Sequence, residues 1–181
     1  EDGSTAQVAK LIGAPVVLVV DASSMARSAA ALVHGFETFD PELNVAGVIF
    51  NRVGSEGHYR YLCEAVGSRC NTPALGYVVH DEALNIPERH LGLVTSAELT
   101  LNTEFIERLV ASLEATVDID ALITVARRQP PLRTIAANQA PACAVPERPR
   151  IGIAFDRAFC FYYEDNFDLL RAFGAELVFF S

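Results

Sequence analysis

The chain has 181 residues, 51% hydrophobic and 20% charged, and 14 basic against 23 acidic residues give it a net charge of −9. That composition makes a globular protein with a substantial core, and without a basic stripe to neutralise phosphates it argues against nucleic-acid binding. No apolar run approaches the ~20 residues of a bilayer span, which argues against a membrane protein.

Glu1 in place of Met, and the opening EDGSTAQ, read as mid-protein sequence, a piece of a longer chain without a secretion signal. Cys63, Cys70, Cys143 and Cys160 show no C-x-x-C spacing, so reduced, buried thiols and a cytoplasmic location are expected. Ser4-Thr5-Ala6-Gln7 fits a capping box. Behind it Val8, Leu11 and Ile12 share one helical face, and Gly13 and Pro15 stop the helix. Val16 to Val20 are five consecutive apolar residues ending at Asp21, which predicts a parallel strand buried on both faces. Met25, Ala29, Leu32, Val33 and Phe36 predict a helix over residues 24–38. A second buried strand, Val45 to Phe50, runs into Asn51-Arg52-Val53-Gly54.

Ser55 can cap a helix carrying Tyr59, Leu62, Cys63 and Val66, and residues 74–79 form a further strand. Helix and strand thus alternate with short connections, the pattern of a parallel sheet with right-handed crossovers. Residues 80–101 predict a short helical turn and then an ordered loop over the strand ends. Asn102 starts a helix, and Asp118 caps its continuation through Leu122 and Val125. Five prolines between residues 128 and 149 mark an extended linker. Ile151 to Phe155 and Glu176 to Phe180 read as strands around a helix capped by Asn166 and ended by Gly174. One strand-helix-strand unit cannot bury its own edges, so it reads as the opening of a second α/β domain. The expected organisation is therefore an α/β domain over 1–127, a linker over 128–149, and the start of another domain over 150–181.

Ligands of parallel sheets bind beyond the carboxyl ends of the strands, so the residues there are the candidates. Asp21 could hold magnesium through water or orient a ligand hydroxyl, or simply accept the amides of its turn. Asn51 can offer a donor and an acceptor to a nucleobase edge, or serve its turn. Arg52 is a candidate contact to phosphate or carboxylate, or a solvated rim charge. Ser23, Ser24 and Arg27 surround an expected helix N-terminus, a ready anion site unless a serine only caps it. Glu88, Arg89 and His90 lie in the irregular IPERHLGLV, as substrate contacts or as a solvated cluster. His34 and His58 read as surface or packed histidines. Cys160 lacks the glycines of a nucleophile elbow, no catalytic triad can be built, and no metal ligand set is apparent. The Walker A pattern is absent, and Lys10, the sole lysine, lies mid-helix.

The runs DGSTAQVAKLIGAPVVLVVDASSMARSAAALVHGF, VAGVIFNRVGSEGHYRYL, ALGYVVHDEALNIPERHLGLVTSAE and IGIAFDRAFCFYYEDNFDLLRAFGAELVFFS resemble the cobyrinic acid a,c-diamide synthases, including the enzymes acting on hydrogenobyrinic acid. The resemblance implies an incomplete P-loop, dethiobiotin-synthetase-like α/β/α domain with a parallel sheet, followed by the first β-α-β unit of a class I glutamine amidotransferase-like domain. It implies ATP, Mg2+ and glutamine as partners of the whole protein. That protein would activate the a and c carboxylates of cobyrinic or hydrogenobyrinic acid as acyl phosphates and displace each phosphate with ammonia. Asn51 matches the family's base-reading Asn, and Asp21 to Arg27 and Glu88 to His90 match segments lining its nucleotide and corrin cleft. His80 stands where the family pattern usually has a basic residue. The Walker A loop and magnesium ligands are expected before DGSTAQVAK and the amidotransferase nucleophile well past residue 181, so Cys160 is not that nucleophile and the piece alone is expected to be inactive. The alternative is a non-catalytic module that binds nucleotide or polyanion for regulation. A sheet lacking strands exposes an edge, which predicts self-association into a homo-oligomer.

Overall fold

The structure is a computed structural model that describes residues 3–86, 102–128 and 148–181. The chain divides into two compact units, Glu1–Leu132 and Arg133–Ser181.

The first unit opens with α1 (Thr5–Ile12). Its N-cap is Ser4, whose hydroxyl accepts from the amide of Gln7. The Gln7 side chain reaches back to the amide of Gly3, one residue before the cap. Gly13 ends the helix in the left-handed region at φ 65°, where a residue without Cβ has no steric penalty. The Lys10 ammonium lies 2.6 Å from Asp40 and 3.7 Å from Glu42, tying α1 to a loop thirty residues on.

Three parallel strands follow, β1 (Val16–Asp21), β2 (Val45–Val53) and β3 (Ala74–Val79), in the order β1-β2-β3. The connections are α2 (Ser28–Phe39) and α3 (Glu56–Gly67). Val20, Ala22, Val48, Phe50 and Val53 from the strand region meet Ala29, Ala30 and Val33 of α2 and Leu62 and Val66 of α3 in one buried cluster. Phe50, Leu62, Val33, Val48, Val53 and Val66 are its largest fully enclosed side chains. Enclosing each contributes about 1.5–3 kcal/mol relative to exposure.

The strand Val16–Val20 is not buried on both faces, as its unbroken apolar run predicts. Val20 faces the cluster, but its neighbour Val19 is 68% exposed. Successive side chains of a strand alternate between faces, and α2 and α3 cover only one of them.

After β3, Asp81 caps a single 3-10 turn, Glu82–Leu84. Then come α4 (Thr103–Thr116), capped by Asn102, and α5 (Ile119–Arg127), capped by Asp118. Val117, between them, forms an antiparallel bridge to Gly76 in β3. Gly76 has φ 139°, and a Cβ there would sit 2.4 Å from the Thr116 carbonyl oxygen. Only glycine lets the end of α4 come this close to the sheet.

The second unit, within its described residues, is β4 (Arg150–Ala154), α6 (Glu164–Ala172) and β5 (Glu176–Phe180), with the strands parallel. Phe155, Tyr162, Phe167 and Phe179 cluster with ring centroids 5.2–6.1 Å apart, and Phe167 is buried among them. The expected cap at Asn166 is wrong. Tyr163 is the N-cap of α6 and makes no side-chain capping bond, while Asn166 lies inside the first turn with its amide donating to the Tyr163 carbonyl. The helix starts earlier than that cap requires, with Glu164 and Asp165 in its first turn.

Candidate functional site

Asp21 and Asn51 are paired in register at the carboxyl ends of β1 and β2. Asp21 Oδ1 accepts from the Ser23 amide at 3.0 Å, and its Oδ2 accepts from Arg52 Nη1 at 3.1 Å. The amide and then the hydroxyl of Ser23, with Arg52 behind them, hold the Asp21 carboxyl below the usual range. Arg52 adopts φ 57°, the positive value of a non-glycine residue in the described backbone. Its amide donates to Asn51 Oδ1 at 2.9 Å, an internal bond that offsets part of the strain of that conformation. With Oδ1 an acceptor, the side-chain amide nitrogen of Asn51 is left to donate elsewhere.

Asn51 and Arg52 line a cavity of about 300 Å3 at the tips of β2 and β3. Val78, Val79, Leu84, Ile86 and Leu109 supply its apolar wall, and His80, Asp81 and Asn85 complete it. Asp81 accepts from Arg108 Nε and Nη2 at 2.9 and 2.7 Å, joining the 3-10 turn to α4. The Ala83 amide and then Arg108 lower its pKa. His80, standing before Asp81, is on this rim too.

The segment after β1 departs from expectation. The helix begins at Ser28, not at residue 24, and Arg27 is its N-cap without a side-chain capping bond. Ser23 and Ser24 therefore cap no helix. The cause is local competition for the carbonyls that a longer helix would need. Met25 O, which such a helix would offer to Ala29 N, is taken by His58 Nε2 at 2.6 Å, and Ala29 N bonds Ala26 O instead. Asp21 meanwhile draws the Ser23 amide into its own turn. Arg27 lines a different cavity, between α2 and α3, with His34, Ser68 and Arg69. The geometry thus joins Asp21, Ser23, Asn51 and Arg52, sends Arg27 elsewhere, and gives Ser24 no part in either cavity. Glu88, Arg89 and His90 lie outside the described residues.

His58, expected to be a packed or surface histidine, is a positioning residue. Its Nδ1 accepts from the Gly54 amide at 3.3 Å while Nε2 donates to Met25 O. One ring thus pins the loop after β2 to the loop after β1. The signal was there: Ser55 caps α3 by accepting from the His58 amide, so His58 occupies the third helical position, from which a capping box reaches back. Gln7 does the same in α1.

A parallel sheet covered by crossover helices, with polar side chains and a cavity at its strand tips, defines a nucleotide-binding α/β domain. Residues 2–94 match the CobQ/CobB/MinD/ParA nucleotide binding domain, and the chain belongs to that family. It is similar to three proteins named cobyrinate a,c-diamide synthase. The one from Priestia megaterium is 47% identical over 99% of this chain and 38% of its own length. That of Dehalococcoides mccartyi strain CBDB1 is 45% identical over 99% and 39%, and that of Salmonella typhimurium strain LT2 is 44% identical over 98% and 39%. The chain thus spans about two fifths of the length of these relatives. No solved structure gives a significant match. No helix among the described residues is long and apolar enough to cross a membrane.

Proposed function

We propose that the cavity at the tips of β2 and β3 receives the base of ATP, with the Asn51 side-chain amide donating to the base edge and the apolar wall packing on its faces. The single observation behind this is Asn51, whose oxygen is fixed by Arg52 N and whose nitrogen is left to donate at the rim of a half-apolar cavity. Arg52, a lining residue of the same cavity whose Nη1 donates to Asp21, is the contact for phosphate or carboxylate. Magnesium fits this corner poorly as a direct ligand of Asp21, since one carboxylate oxygen accepts from Ser23 and the other from Arg52. A role for Asp21 toward the ion is therefore water-mediated.

The relatives' name extends the reading to the protein that carries this chain. It would be an ATP- and glutamine-dependent amidoligase of cobalamin biosynthesis, amidating the a and c carboxylates of cobyrinic or hydrogenobyrinic acid. Bound ATP supplies the phosphoryl group that turns a carboxylate into a displaceable acyl phosphate. On this reading Ser23, Glu88, Arg89 and His90 serve the anionic corrin acid, while Ser24 and Arg27, which line no part of the strand-tip cavity, are left out of that set; β4-α6-β5 opens the amidotransferase-like domain, and the protein is cytoplasmic and self-associating. The test is the complete protein assayed for glutamine-dependent amidation. Asn51→Ala is expected to raise KM for ATP and leave KM for the corrin acid unchanged. An unchanged KM for ATP overturns the assignment of Asn51, and nucleotide binding without amidation would favour a regulatory module.

A further inference from the structure

His34 and Glu37 lie one turn apart on α2, and Cys70 lies just past α3. Their Nδ1 or Nε2, carboxylate oxygen and Sγ all lie within 4.8 Å of one another. His34 Nδ1 is already 3.8 Å from Glu37 Oε2. The Glu37 carboxylate is held in place from behind, because Oε1 accepts from the Asn71 amide at 2.8 Å. Oε2 is buried and has no hydrogen-bond partner. A buried acceptor left unsatisfied is destabilising, the more so when charged, and such an atom calls for an explanation. His34 also lines the cavity of about 480 Å3 between α2 and α3, so the cluster is open to solvent on one side.

We propose that His34, Glu37 and Cys70 form a binding site for a borderline-soft divalent transition metal of the zinc class, separate from the strand-tip cavity. Imidazole, carboxylate and thiolate are the three donor types such ions take, and three protein ligands leave a fourth position for water. Zinc bonds of about 2.0–2.3 Å give a tetrahedron with edges of about 3.3–3.7 Å. The His34–Glu37 pair is near that spacing now, and the full set closes onto an ion with side-chain shifts of about 1 Å, read against that tetrahedron. One thiolate and one carboxylate against a dication leave no net charge in a half-buried place. Without the ion the Cys70 thiol donates weakly to Ala30 O at 3.5 Å. Burial, and then Glu37, raise its pKa. Binding therefore releases one proton as the Cys70 S–H bond breaks and the S–metal bond forms. The Asn71 amide, by orienting the carboxylate, acts as an outer-shell partner.

The test is Co2+ titration of the complete, metal-stripped protein, followed by Zn2+ competition. Co2+ is expected to bring up thiolate-to-cobalt charge-transfer absorption at one equivalent, and Zn2+ to abolish it. Cys70→Ser is expected to remove the band while circular dichroism stays native. His34→Gln and Glu37→Gln should each weaken Co2+ by an order of magnitude or more, and Cys63→Ser should change nothing. A charge-transfer band that survives Cys70→Ser, or no band in the unmodified protein, overturns the proposal. If the serine variant unfolds, Glu37→Gln carries the decision alone, an unchanged Co2+ affinity counting against the site.

Discussion

The loop after β1 and the loop after β2 start from the same position in the same sheet, yet they do different work. Asp21 and Asn51 are register partners. After Asn51 the chain takes one residue of left-handed backbone at Arg52 and enters a well-capped helix at Ser55. After Asp21 it spends six residues in turns, and the helix that follows starts uncapped. The end of β2 lines the strand-tip cavity with Asn51 and Arg52, whereas the end of β1 reaches it only through the Asp21–Arg52 pair. Position at a strand tip makes a residue eligible for a site, and the turn that follows decides whether its side chain gets there.

The largest expected effect removes the floor the two loops share. Phe50 is fully enclosed beneath them, and Phe50→Ala should cost about 3–5 kcal/mol in denaturant unfolding. A loss confined to one loop by hydrogen exchange, with global stability kept, would show that the loops do not rest on a common core.

His58→Ala comes next. It deletes one bond to each loop, at a net cost of about 1–3 kcal/mol for the two. Hydrogen exchange should speed up at Gly54, whose amide loses its acceptor, and in residues 23–29, while β3 stays protected. Unchanged exchange after β1 would mean the two loops are held independently.

The smallest effect concerns the Asp21 turn. Its folded pKa lies below the ordinary 3.8, so its contribution to stability is present above that value and is lost as pH falls through the folded pKa. Acid titration of the native protein should loosen the Ser23 turn, read from its amide chemical shift, and Asp21→Asn should flatten that response. A response that persists in Asp21→Asn would place the titrating group elsewhere.

Much of the frame was legible because short-range chemistry specified it. Ser4, Ser55, Asn102 and Asp118 are side-chain caps where the sequence put them. The alternation of elements indicated the parallel sheet. What misled was competition between donors and acceptors that only the fold brings together. Met25 O and His58 are thirty-three residues apart, and their bond keeps α2 from starting early. Asn166 has the side chain of a cap, but α6 already starts at Glu164, behind the acidic pair Glu164-Asp165, which leaves Asn166 inside the first turn. Val19 misled in another way. A run of five apolar residues says that both faces of a strand can be covered, and not that these helices cover both. Of the candidate site, residue types and strand-tip placement could be read, but not that Arg27 would line a separate cavity.

The mooring of α4 bears on what can enter the strand-tip cavity. Arg108, in the first half of this helix, clasps Asp81, and just past its C-terminal end Val117 is stitched to Gly76. The stitch is backbone held against backbone, while the clasp is a half-exposed ion pair that salt weakens. The helix should thus behave as a door hung at Gly76 and latched at Asp81, so that rising ionic strength admits bulkier guests before it disturbs the sheet.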